Sequence, residues 1–153
     1  MVVEDEAAIA DLILMNLKLV GYTGISASNG NDVMDHIEQH KPDLIILDVM
    51  LPGKDGFSLM KEIEPLQIPV IFLTAKEELN DKITGLKLGA DDYMVRPFAT
   101  IELLTRIETV LKRYRAGGTR TVDVHIQRLR KKLGLDDKIK TVFKVGYRLE
   151  VPR

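Results

Sequence analysis

Cysteine is absent from the 153-residue chain, so no disulfide framework, thiolate metal site or catalytic thiol is available. Tryptophan is absent as well, and aromatics make up only 5% of residues, which argues against stacked-base binding of single strands as the main activity. No apolar run reaches the ~18 residues of a membrane helix. The opening Met1-Val2-Val3-Glu4-Asp5-Glu6 turns acidic at once and lacks the charged-then-apolar layout of a signal peptide. The expectation is a soluble, cytoplasmic protein with no membrane partner.

What is present is an ordinary globular balance. Hydrophobic residues make up 45% and charged residues 29%, which excludes a wholly disordered chain. At ~150 residues per domain, the length predicts one domain, or one domain plus a fragment. The net charge of −1 conceals an asymmetry. Residues 1–114 carry 11 Lys and Arg against 19 Asp and Glu, a net −8, whereas residues 115–153 carry 11 against 4, a net +7. Such a split predicts two jobs, with the basic end facing a polyanion.

Apolar runs and amphipathic stretches alternate through residue 114. Val2-Val3 is a short apolar start. Ala7 to Val20 places Ile9, Leu12, Ile13, Leu17 and Val20 at helical spacing, and Gly21 stands where a helix C-cap belongs. Tyr22 to Ala27 reads as a strand. Asn29 is a cap for a helix to about His40, with Val33 and Ile37 inward. Leu44 to Leu47 is a fully apolar strand ending at Asp48, as in a parallel sheet buried on both faces. After the Pro- and Gly-containing loop 51–56 come a helix Phe57–Glu64, a strand Pro69–Leu73 ending at Thr74 and a helix Glu77–Leu88 closed by Gly89. A strand Tyr93–Val95 ends at Arg96-Pro97, and a long helix follows from Phe98 to about Tyr114. Five strands alternating with five helices predict an α/β fold, a five-stranded doubly wound parallel sheet of flavodoxin-like topology.

Ligands on such sheets bind beyond the carboxyl ends of the strands. There the sequence places Glu4, Asp5, Asp48, Thr74 and Arg96. Three converging carboxylates repel one another unless a cation neutralises them. Oxygen-only ligands favour Mg²⁺, which can bridge a carboxylate and a phosphoryl oxygen. Thr74 offers a hydroxyl, Arg96 offers a positive fork for a phosphoryl group, and Asp48 is the candidate nucleophile for an aspartyl phosphate. Taken singly, each residue reads better as a cap or a strand end; their joint placement at successive strand ends favours the site. A flavin mononucleotide site on this topology needs a Ser/Thr/Gly-rich phosphate loop after the first strand, and here that loop is acidic.

Residues 1–115 resemble the receiver domain of bacterial two-component response regulators, with the OmpR/PhoB subfamily the nearest likeness. The resemblance rests on Val2-Val3-Glu4-Asp5-Glu6, Leu47-Asp48-Val49-Met50-Leu51-Pro52-Gly53, Leu73-Thr74-Ala75 and Gly89-Ala90-Asp91-Asp92-Tyr93 through Arg96-Pro97-Phe98. It implies that Asp48 accepts a phosphoryl group from a sensor histidine kinase. It implies Mg²⁺ held directly by Asp5 and Asp48, by Glu4 largely through water, and by the Met50 backbone carbonyl. Thr74 would follow the phosphoryl group and Tyr93 would swing inward with it, driven by an added charge of about −1.5 to −2. The family carries Lys where this chain has Arg96, which keeps the charge and alters its shape. The Arg96-Pro97 bond is expected to be cis. Lys82, Asp91, Asp92, Glu102, Arg106 and Arg113 match positions that form salt bridges across a homodimer of the fourth helix, fifth strand and fifth helix.

Ala116-Gly117-Gly118 reads as a junction. Thr121 to Leu133 is a basic helix with Val122, Ile126, Leu129 and Leu133 on one face, and Ile139 to Val142 with Tyr147 to Val151 predicts a hairpin turning near Lys144. Residues 119–153 resemble part of the same subfamily's winged-helix DNA-binding domain: its recognition helix and terminal hairpin. Arg120, Thr121, His125, Gln127, Arg128, Arg130 and Lys144 match positions that face double-stranded promoter DNA. A major groove admits one helix, and Arg reads guanine bidentately. Lys131, Lys132 and Lys140 would mainly meet phosphate. Phe143 stands at the wing position that usually holds Arg. The leading sheet and first helices of the effector have no counterpart here, the first strand lacks its usual run-in before Val2, and a segment below ~40 residues rarely folds alone.

The expectation is therefore a phospho-accepting transcriptional regulator rather than a turnover enzyme. Two other readings stand beside it. One is a phosphorylation-impaired or effector-truncated receiver acting as a protein-interaction module. The other is an Asp-nucleophile phosphohydrolase.

Overall fold

The computed structural model describes residues 1–75, 88–116, 139–142 and 146–149. The expected helix Glu77–Leu88, apart from its last residue, and the basic helix Thr121–Leu133 lie outside the described residues. The chain divides into two compact units, Met1–Lys112 and Arg113–Arg153.

In the first unit, strands β1 (Val2–Val3), β2 (Ser26–Ala27), β3 (Ile45–Asp48), β4 (Val70–Ala75) and β5 (Asp92–Arg96) form one sheet in the order β2-β1-β3-β4-β5. Every pairing in it is parallel. Every residue of β3 is buried, as its unbroken apolar run requires of a central parallel strand. Strand residues of one parity, among them Val3, Ile45, Leu47, Val70 and Phe72, form a core with Val33 and Ile37 of helix α2 (Val33–His40) and with Leu59, Met60 and Ile63 of helix α3 (Gly56–Ile63). Val2, Ile46, Ile71 and Leu73, of the opposite parity, are buried too, so the sheet is covered on both faces. Helix Thr100–Arg115 buries Leu103, Ile107, Val110 and Leu111, an i, i+4, i+7, i+8 stripe.

Three sequence expectations need correction. The second strand is two residues long rather than Tyr22–Ala27, because β1 offers only Val2 and Val3 as partners for Ser26 and Ala27. Helix α1 (Ala7–Leu19) buries Ala10, Ile13 and Leu17, while Leu12 and Val20 are exposed. The helix is apolar on more than one face, and only one face can meet the sheet. The Asn29 side chain accepts from the Asn31 N–H, but what it caps is a 3₁₀ turn, Gly30–Asp32, and α2 starts only at Val33.

In the second unit, β6 (Ile139–Val142) pairs antiparallel with β7 (Gly146–Leu149), Ile139 opposite Leu149 and Val142 opposite Gly146. This is the expected hairpin, with Gly146 also in its second strand; Glu150 and Val151 lie outside the described residues.

Candidate phosphoacceptor site

The site is assembled from the carboxyl ends of the parallel strands. Glu4 follows β1, and its N–H donates to the Ala27 carbonyl at 3.0 Å, which holds it against the sheet. Asp48 ends β3, with the next N–H, that of Val49, donating to the Leu73 carbonyl at 3.1 Å. Thr74 lies on β4 opposite Val95, and Arg96 closes β5. Glu4, Asp48 and Thr74 are the buried polar residues among those described, each 5% exposed or less. Such burial of polar groups requires partners: for Glu4 and Asp48 these are backbone N–H groups, of Glu6 and Met50, and the Arg96 guanidinium.

Carboxylate oxygens of Glu4, Asp5 and Asp48 all lie within 4.8 Å of one another. Octahedral Mg²⁺ at ~2.1 Å per bond puts opposite ligand oxygens ~4.2 Å apart. The all-oxygen donor set therefore suits a hard divalent cation, and the carboxylates would close in slightly to hold it with water completing its shell. Burial pushes the Glu4 carboxyl up to about 7; the Glu6 N–H and Arg96 pull it back, and Asp48 pushes it further. Burial also raises Asp48, against the Arg96 guanidinium and the Met50 N–H. At both carboxyls burial outweighs the opposing hydrogen bonds and positive charge.

Arg96 supplies part of that charge. Its Nη2 donates to Glu4 Oε2 and lies 3.3 Å from Asp48 Oδ2. The Arg96-Pro97 bond is cis, as expected. The Met50 N–H donates to Asp48 Oδ1 at 3.1 Å, while its side chain faces outward. Tyr93 is half-buried and packs against the core.

Two contributors escaped the sequence reading. Gly56 lies so close to the end of β3 that a Cβ there would stand 2.4 Å from the Asp48 carbonyl oxygen and 2.8 Å from Val49 Cα. Asp55 caps α3, accepting from the N–H groups of Phe57 and Ser58 and from the Ser58 hydroxyl. The Asp55-Gly56 pair opening a helix was the available signal.

Four of the expected dimer residues, Asp91, Asp92, Glu102 and Arg106, have partners within the chain. Arg106 reaches both oxygens of Asp92, at 2.9 and 3.0 Å, and also Glu102 at 3.0 Å. Asp91 accepts from the Val70 N–H at 3.0 Å. Arg113 lies on the long helix, half-buried. Lys82, Arg120, Thr121, His125, Gln127, Arg128, Arg130, Lys131, Lys132, Phe143 and Lys144 lie outside the described residues, as does the side chain of Lys140.

The family model for the response regulator receiver domain matches residues 1–108, and that for the C-terminal part of transcriptional regulatory proteins matches residues 102–149. The Francisella response regulator 1452 receiver domain is 35% identical, with a TM-score of 0.70, over 74% of this chain and 95% of that one. The BeF₃-activated receiver domain of Klebsiella pneumoniae RstA is 32% identical, with a TM-score of 0.69, over 72% and 95%. A CheY-like receiver domain protein from Methanospirillum hungatei is 27% identical, with a TM-score of 0.72, over 76% and 95%. Among the described residues no helix is long and apolar enough to cross a membrane. A receiver sheet with acidic strand ends, matched along most of the chain and followed by a transcriptional effector segment, shows that the chain belongs to the response regulator receiver family, as an OmpR/PhoB-like two-component regulator of transcription.

Proposed function

We propose that Asp48 is the phosphoacceptor of this regulator and that its phosphorylation drives dimerisation and binding to promoter DNA. One observation carries the reading. Asp48 is a buried carboxylate at the end of the central strand, fixed by the Met50 N–H and facing Arg96, with Glu4 and Asp5 beside it. An Asp48 oxygen attacks the phosphorus of a histidine kinase's phosphohistidine, and the P–N bond breaks as the P–O bond forms. Asp5, Asp48 and the Met50 carbonyl would hold Mg²⁺, with Glu4 acting through water, and the bound ion would supply charge neutralisation. Thr74 and Arg96 receive the phosphoryl oxygens, and Tyr93 moves inward with Thr74. The group stays on Asp48 as a signal, so the chain is a regulator and not a turnover enzyme.

The rest of the proposal follows from the phosphoryl charge of about −1.5 to −2. It brings the face carrying Lys82, Asp91, Asp92, Glu102, Arg106 and Arg113 into salt bridges between chains. The receiver spans 1–115 and the junction 116–118. Residues 119–153 form the partial winged-helix segment, presenting Arg120, Thr121, His125, Gln127, Arg128, Arg130 and Lys144 to duplex DNA. The proposal places the chain in the cytoplasm, with phosphodonor and promoter.

Sedimentation velocity and duplex selection test this together. Treated with acetyl phosphate and Mg²⁺, the chain should sediment as a dimer and enrich a shared sequence from a random duplex pool, and Asp48→Asn should do neither. A phosphorylated chain that stays monomeric and binds duplexes only in a salt-dependent, sequence-blind way contradicts it and favours the interaction module.

A further inference from the structure

We propose that Arg96 is an internal competitor for the divalent cation: its guanidinium neutralises Glu4 and Asp48 in the metal-free chain and must leave them before the metal is held. The inference rests on the reading of this pocket as a receiver metal site, and adds a role for one side chain of this protein.

Three observations carry it. First, the arginine is bound to the very carboxylates that would face the cation. Nη2 of Arg96 donates to Glu4 Oε2 and lies 3.3 Å from Asp48 Oδ2, and both acceptors belong to the three-carboxylate cluster. A guanidinium and a divalent cation cannot share those oxygens without like-charge repulsion at close range, in a setting where water screens little. Second, the pocket is sheltered. The Glu4 side chain is 0% exposed, Asp48 8% and Arg96 23%, so the guanidinium is held against these acids rather than waving in solvent. Third, the contact is incomplete. A single nitrogen serves both acids instead of the two-pronged fork that makes arginine–carboxylate pairs strong. The buried Nε also has no hydrogen-bond partner among the described residues. A charge held this way neutralises the acids yet stays displaceable.

Linkage sets the sign. A contact that stabilises the metal-free pocket and is given up when the metal binds lowers the metal affinity by the free energy of that contact. Removing the guanidinium charge therefore tightens metal binding. A lysine keeps the charge on a compact ammonium that is more strongly hydrated than a guanidinium and gives up more to leave water for buried acids. It competes less.

Isothermal titration of Mg²⁺ into the full chain, with Mn²⁺ followed by electron paramagnetic resonance as a second readout, compares the native protein with Arg96→Gln and Arg96→Lys. Thermal unfolding without metal establishes that each variant is folded. Arg96→Gln should bind on the order of tenfold more tightly, within the usual range of coupling between sites. Arg96→Lys should fall between it and the native chain, and it keeps the test open if the neutral variant fails to fold. Equal or weaker metal binding by folded variants overturns the competitor role and leaves the receiver pocket intact. Failure of all three proteins to bind either metal overturns the pocket reading together with the competitor role.

Discussion

The carboxylate of Asp55 accepts hydrogen bonds from two backbone N–H groups that α3 leaves open and from the Ser58 hydroxyl. These bonds hold its pKa below the ordinary carboxylate value. The folded chain thus releases the Asp55 proton more readily than the unfolded chain. The resulting stabilisation is full above the ordinary value of 3.8 and is lost as pH falls through the lower folded one. Asp55→Ala should cost about 1 kcal/mol in urea unfolding at neutral pH, and the difference from the native chain should shrink in acid below that window. The neighbouring Gly56 is a stricter constraint. A Cβ would collide with the backbone of Asp48 and Val49, which cannot swing aside as a flexible side chain would. Gly56→Ala should lower the urea midpoint more than Asp55→Ala does and slow acetyl phosphate labelling of Asp48. A variant with native midpoint and native labelling rate would show that the loop has slack.

Among the elements, β3 carries both core and chemistry. Ile46 is 1% exposed at the centre of the sheet, so Ile46→Ala should cost ~2–5 kcal/mol. Leu19, 77% exposed at the end of α1, should change stability by no more than about 0.5 kcal/mol when replaced by Ala. Chemical denaturation of the two variants checks both values. The same contrast explains what was legible. The run Leu44–Leu47 announced a strand buried on both faces because nothing polar interrupts it. Helix α1 was harder: Leu12, Met15 and Leu19 form a second apolar stripe, and spacing alone does not choose between stripes. Strand β2 was over-read because its length is set by its neighbour β1, a pairing absent from its own sequence. At the site, strand-end acids were visible as positions. That Arg96 contacts Glu4, three strands away in sheet order, was not visible, because it depends on the loops after β1 and β5.

At the scale of the whole molecule, a net −8 receiver portion and a net +7 end were apparent from charge counting, and the two family matches divide the chain in the same sense. The long helix carries Glu102, Arg106 and Arg113, and in the single chain Arg106 is engaged with Asp92 and Glu102. Exposed pairs of this kind are worth ~0–1 kcal/mol, little enough for partners to be exchanged between chains. Arg106→Ala should therefore lose the phosphorylation-dependent dimer in sedimentation velocity. A dimer of native affinity would remove Arg106 from the interface. In the proposed mechanism, dimerisation and DNA binding both depend on one covalent event. The most direct measurement is the intact mass of the chain after acetyl phosphate with Mg²⁺, with chelator and Asp48→Asn as parallel arms. The account predicts one added phosphoryl group, absent from both parallel arms. An unmodified folded chain, or a phosphoryl group that persists in Asp48→Asn, would contradict it.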